Sequence, residues 1–248
     1  MISAAVKESI YKLGGGFMIS REAKAFSDET GLSGWAPYFR GRCGVLGEVD
    51  ADVVTAAAGF FPAEVVRGSW EAARSIPAGA AATRYAEVAD HFGRRKLAGL
   101  PEEDAERLSG LLEAVCGNAD VVAAPLFAGW RAMPLPSDPR GRVIQLAHVL
   151  RELRGGLHIV AVLAAGLTPL EAVVATETNP LMQPGQANAE YFGWPRPYPE
   201  VTDEIRAKRE RAEELTDSLI APAFTILDAA EQNALAELLA RADKVCFG

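Results

Sequence analysis

Three observations predict an all-α, multi-helix bundle. Apolar residues recur at helical spacing along most of the 248 residues, capping residues and prolines stand where the periodic runs begin, and no β-branched run alternates as a strand would. Ser20 is placed to cap a helix over 21–30, Pro37 lies early in a segment reaching Cys43, and Asp50 can cap 51–59. Pro62 opens 63–73, with Val65, Val66 and Trp70 as candidate core contacts. Longer helices are predicted over 80–95, 102–116 and 120–132. Thr168-Pro169-Leu170-Glu171 combines a cap, a proline at the first helical position and an acid at the third, which specifies a helix over 169–177.

Two irregular seams interrupt this pattern: 133–139, and 178–201 with five prolines. The first divides an N-terminal helical half, 1–136, from a C-terminal half, 137–248, of one compact unit. The second is long enough to form a lid or a binding wall, and Tyr191, Phe192, Trp194 and Tyr198 give it aromatic surface. Beyond it Thr202 can cap a helix to about Ile226, kinked at Pro222, followed by an amphipathic helix over 230–245. The apolar stripes of these last two helices suit core packing or a homodimer interface.

Composition bounds the function. The chain is 49% hydrophobic and 23% charged, which describes an ordinary globular protein. Neither a secretory leader nor a 20-residue apolar span is apparent, so a cytoplasmic protein without membrane contact is expected. Cys43, Cys116 and Cys246 are far apart and suggest neither disulfides nor a zinc site. The 33 acidic residues outnumber the 25 basic ones, for a formal charge of −8, which disfavours nonspecific attraction to nucleic acid.

The segment from His148 to His158 concentrates the chemistry: two histidines, Arg151, Glu152 and Arg154 precede or flank Gly155-Gly156. Helical spacing puts Gln145, His148, Arg151, Glu152 and Arg154 on a polar face opposite Val143, Leu146, Val149, Leu150 and Leu153, as on an amphipathic surface helix. The double glycine predicts a helix break with freed N–H groups, and the apolar run 159–167 predicts a buried helix headed by His158.

Short motifs in a fixed order extend over most of the chain. They are Gly31-Leu32, Tyr38-Phe39-Arg40-Gly41-Arg42, Leu46-Gly47, Phe60-Phe61-Pro62, Val65 and Trp70, then Leu150-Arg151-Glu152-x-Arg154-Gly155-x-x-His158. Ala164-Ala165-Gly166-Leu167, Glu171-Ala172, Gly193-Trp194 and Glu213-x-x-Thr216-Asp217 complete the set. Together they resemble a largely uncharacterised actinobacterial family of all-helical proteins labelled helix-turn-helix, distantly like winged-helix regulators with a duplicated organisation. The family pattern reads Leu-Arg-Glu-His-Arg-Gly-Asp-Gly-His, whereas this chain has Leu153, Gly156 and Leu157 at the first histidine, the aspartate and the second glycine. The resemblance also implies a recognition-like helix and a wing after Gly193-Trp194. Residues 195–201, with three prolines, are too few to supply them.

An N-terminal pair, 21–30 and 33–43 joined at Gly31, could still read DNA through Arg40 and Arg42. The competing view is a packed corner with Arg42 in an internal ion pair or a ligand contact. No P-loop, dinucleotide fingerprint, nucleophile elbow or metal triad is present, so no metal or other cofactor is expected. What remains is acid–base chemistry on a small organic substrate of specialised metabolism, an isomerisation, cyclisation, elimination or hydration in an apolar interhelical pocket. The candidate catalytic residues are His158 as acid or base, Glu152 as its orienting or partner carboxylate and Arg154, or alternatively Arg42, as an anion stabiliser; the candidate ligand contacts are Tyr38, Arg42, Trp130, His148 and Tyr191. The alternative is a ligand-binding transcriptional regulator or a metabolite-sequestering resistance protein. DNA binding is not expected.

Overall fold

The computed structural model describes residues 2–178 and 180–248; residue 179 of the second seam lies outside the described residues. Helices α1 (Ile2–Gly16), α2 (Arg21–Thr30), α3 (Ala36–Cys43), α4 (Ala51–Ala58), α5 (Ala63–Ala72), α6 (Ala78–Lys96), α7 (Glu102–Asn118) and α8 (Pro125–Arg131) precede a long helix, α9 (Pro139–Ala164). Then come α10 (Pro169–Val174), α11 (Gly185–Phe192), α12 (Asp203–Ile220) and α13 (Ala229–Phe247). No strand occurs among the described residues, and none of their helices is long and apolar enough to cross a membrane.

Most boundaries follow local chemistry. The side chains of Ser20, Asp50, Asp138, Thr168, Thr202 and Asp228 each accept a backbone N–H at the start of a helix, and Thr168 and Asp228 do so within complete capping boxes. The helix expected over 120–132 starts only at Pro125, because 119–124 forms a turn with Ala123 at positive φ. The one expected over 169–177 stops at Val174. Pro222 does not kink α12, which ends at Ile220; it lies in a 3-10 segment, Ala221–Ile226. Helix α11 forms inside the stretch expected to be irregular, while 195–201 holds neither helix nor strand.

Helix α9 is the axis of the molecule, packed against α1, α6, α7, α8 and α12. Its predicted polar face is therefore inside: Gln145, His148 and Glu152 are buried. The predicted break is absent as well, and α9 runs through Gly155-Gly156 without interruption. The backbone N–H groups there are spent within the helix and are not free to bind an anion. The run after His158 is only half covered, since Val160 and Leu163 are exposed while Ala161 and Val162 are buried.

Helix α1 supplies Val6, Ile10 and Leu13 to the core and crosses α9 at Gly14. An added Cβ at Gly14 would lie 2.5 Å from the Ala147 carbonyl oxygen and 2.7 Å from the His148 nitrogen. At Gly156 it would lie 2.8 Å from Ala124 Cα and 2.9 Å from the Ala123 oxygen. Both glycines thus permit backbone contact that no side chain allows. Gly14→Ala is expected to destabilise by about 1–3 kcal/mol through overpacking, despite alanine's better helix propensity. Urea unfolding measures it, and an unchanged midpoint would show that the crossing relaxes freely.

The apolar stripes of the last two helices are used in part within the chain, while Leu219 of α12 is exposed. Leu235, Leu238 and Leu239 of α13 are buried, with the helix against α1 and α7, and α12 lies along α9.

Candidate functional site

Two charge clusters, one buried and one partly exposed, flank a cavity of about 1400 Å3 between α1, α3, α9, α11 and α12. On α9, Arg151, Arg154, Gly155, His158 and Ile159 fall at i, i+3, i+4, i+7 and i+8, so one helical stripe forms a wall of the cavity. Opposite it stand aromatic rings. Trp35 makes edge contacts with Tyr38, Phe61 and Tyr191, and Phe61 lies 4.2 Å from Phe192 between ring centroids. Tyr191 keeps 56% of its surface exposed at the rim.

The first cluster centres on Glu152. Arg42 grips it with two bonds, Nε to Oε1 at 2.8 Å and Nη2 to Oε2 at 2.6 Å, and Arg151 adds a third at 3.0 Å. Burial alone would raise the Glu152 pKa, but Arg42, His148 and Arg151 together outweigh it and lower the value to about 2. His148 lies behind, its ring edge-on to Trp130 at 4.6 Å and to Phe17 at 5.2 Å, with Nδ1 3.6 Å from Glu152. Burial lowers its pKa to about 3, so the ring is neutral near pH 7. Trp130 donates to the Arg42 carbonyl at 2.9 Å.

The second cluster joins α9 to α12. Arg154 donates to Asp217 at 2.7 Å and to Glu213 at 2.5 Å, while Arg209 donates to Glu213 at 2.6 Å. One turn after Arg154, His158 Nδ1 lies 2.8 Å from Thr216 Oγ1. That hydroxyl already donates to the Ala212 carbonyl at 2.6 Å, so it must accept from the imidazole. The proton is thereby assigned to Nδ1, and Nε2 carries the lone pair. Nε2 lies 3.8 Å from Glu213, and His158 lines the cavity. Burial, with help from Arg209 and Arg154, lowers its pKa to about 4 against the opposing pull of Glu213.

The sequence-selected residues thus divide. Arg154, His158, Tyr38, Arg42 and Tyr191 line the cavity. Glu152 does not pair with His158, because the unbroken helix holds them about 120° apart and Arg42 claims the carboxylate. His148 and Trp130 are core residues behind Arg42, both of them buried, rather than cavity walls. The partners of His158 and Arg154 are Glu213, Thr216 and Asp217. Their i, i+3, i+4 spacing on α12 matches the i, i+4 spacing of Arg154 and His158, and that complementarity is the signal in the sequence that could have found them.

Arg40 and Arg42 are turned inward rather than presented on a free helix face. Arg40 is fully buried, bonded to Glu48 and to the Ile76 carbonyl, with Trp70 4.4 Å away. Seven of the eight α3 residues are buried, which makes the pair α2 and α3 a packed corner. A recognition helix needs a free face to enter the major groove.

Acid should weaken this fold by a predictable route. His148 and His158 take up protons more readily unfolded, near 6.5, than folded, near 3 and 4, so stability falls as pH drops below about 6.5. Glu152 and Glu213, both held near 2, add to the loss below about 4.5. His148→Leu is expected to flatten the fall of Tm between pH 6.5 and 4, and equal slopes in variant and wild type would refute the burial of a neutral ring.

Residues 4–247 match the sequence profile of a helix-turn-helix family, and the chain belongs to that family. No curated protein and no solved structure matches it significantly.

Proposed function

We propose that the protein binds a small organic molecule in the cavity beside α9 and transforms it by proton transfer through His158, without a metal or nucleotide cofactor. The observation that carries this reading is the hydrogen bonding of His158: Thr216 Oγ1, which donates to the Ala212 carbonyl, accepts from Nδ1–H and leaves the Nε2 lone pair on a ring that lines an aromatic cavity. An imidazole with a pKa near 4 is a weak base and, once protonated, a strong acid. That combination suits a step in which one nitrogen takes a proton and passes it on, as in isomerisation, cyclisation or elimination. Arg154, tied to two carboxylates, serves to hold Glu213 and α12 in place for His158. The actinobacterial origin implied by the resemblance belongs to this proposal, as does a place in specialised metabolism, which a biosynthetic gene neighbourhood would support.

The test is to expose the protein to a metabolite pool, identify the retained compound by mass spectrometry, and follow its chemical fate with wild type and His158→Gln. Product formed only by wild type supports the proposal. A second reading, a ligand-responsive regulator, is favoured by membership of a helix-turn-helix family. Recovery of the compound unchanged by wild type, together with salt-sensitive binding to the gene's own upstream DNA, would establish that reading instead. With α3 buried and 195–201 free of helix, no specific mobility shift is expected.

A further inference from the structure

Adjacent glycines on α9 behave oppositely. Gly156 is required by the contact with Ala123 and Ala124, but a Cβ on Gly155 would meet nothing within 4 Å, and the residue has no positive φ that would call for glycine. A mid-helix glycine lowers helix stability relative to alanine. No packing contact offsets that cost here. Gly155 instead lies in the cavity wall, on the stripe between Arg151 and His158, which are about 10 Å apart along the axis.

At the Arg151 end, charge is unbalanced. Two guanidinium groups, Arg42 and Arg151, share the single carboxylate of Glu152, and the adjacent His148 is neutral. Arg151 Nε is sealed from solvent with no hydrogen-bond partner among the described residues. A positive excess therefore sits at one end of an aromatic cavity in a chain of formal charge −8. An organic anion would neutralise it at two guanidinium groups that are mostly shielded from solvent.

We infer that the cavity takes an aromatic organic anion laid along α9 over the bare backbone of Gly155, with its acid group at Arg42 and Arg151 and its ring system against Trp35 and Tyr38. This rests on the cavity being the ligand site, as proposed above, and adds the class of ligand and two residues that determine specificity. Gly155 acts by its lack of a side chain, and Arg151 by its excess charge.

Two dyes with the same ring system test it: 1-anilinonaphthalene-8-sulfonate, which is anionic, and N-phenyl-1-naphthylamine, which lacks the sulfonate. Wild type is expected to bind the anionic dye at one site per chain and about tenfold or more tighter than the neutral one. Arg151→Gln should erase that preference, and the ratio of the two affinities on one preparation is insensitive to any unfolded fraction. Gly155→Leu should fold, bind both dyes at least about tenfold more weakly, and melt no lower than wild type. Gly155→Ala should raise Tm by about 2–4 °C. Full dye binding by Gly155→Leu, an anion preference that survives Arg151→Gln, or no saturable binding by wild type would each overturn the inference. None of these readouts depends on turnover. Anion binding without His158-dependent product therefore refutes the proton-transfer reading alone, and product formation with Gly155→Leu behaving as wild type refutes this inference alone.

Discussion

His158→Gln is expected to retain the helical spectrum and the ligand while losing about 10²- to 10⁴-fold in turnover, the range for a positioned proton-transfer group. Glutamine keeps a polar side chain beside Thr216 but offers no basic nitrogen to the cavity. The pH profile sharpens the prediction. Because the ring titrates near 4 rather than 6.5, turnover should hold from neutral pH down to about 5 and fall below about 4. In the proposed chemistry Thr216 would be a positioning residue, since its hydrogen bonds fix which nitrogen of His158 bears the proton. Thr216→Val is expected to lose less, about 10- to 100-fold, the range for a lost partner one shell away, and Thr216→Ser should recover most of it. A His158→Gln variant that melts lower yet turns over at the wild-type rate per folded molecule would make the histidine structural.

Glu152→Ala is expected to cost about 3–5 kcal/mol of folding stability, because Arg42 would remain buried without its counter-charge and Arg151 would lose its acceptor. The pair itself need not be worth that much: exchanging Arg42 and Glu152 together for methionine should recover a large part of the loss. Urea midpoints for the single and double variants decide the matter. A single variant within about 1 kcal/mol of wild type would mean that water reaches the cluster and screens it.

Helix starts were legible because caps act locally: Ser20, Asp50, Thr168 and Thr202 each bind an N–H within three residues. Helix α1 was not legible, since Gly14-Gly15-Gly16 signals a break until α9 and its side chains are there to press against it. The continuity of α9 was hidden for the same reason at Gly155-Gly156. Burial of its polar face could not be read from spacing either, because the charge that makes Glu152 tolerable inside comes from Arg42, 110 residues away. That His158, Arg154 and Arg42 share one cavity could not be read from spacing, and their partners depended on which helix lies against α9. Membership of the helix-turn-helix family accords with the resemblance read from the ordered motifs, although the wing it implies is absent from the described residues.

The placement of α1 and α12 has a consequence for how the site comes into being. Ser3 bonds to Asp217 and Lys7 reaches Glu213 and Asp217, so the cavity is closed by segments from opposite ends of the chain. Contacts this distant form only after the intervening loop has paid its closure entropy. During synthesis, the stripe on α9 would emerge and collapse onto its N-terminal neighbours long before α12 arrives to fix the histidine tautomer. On the proposed function, competence to act would therefore require both α1 and α12, and removal of α1 or truncation ahead of α12 should abolish it even where the remaining core stays folded.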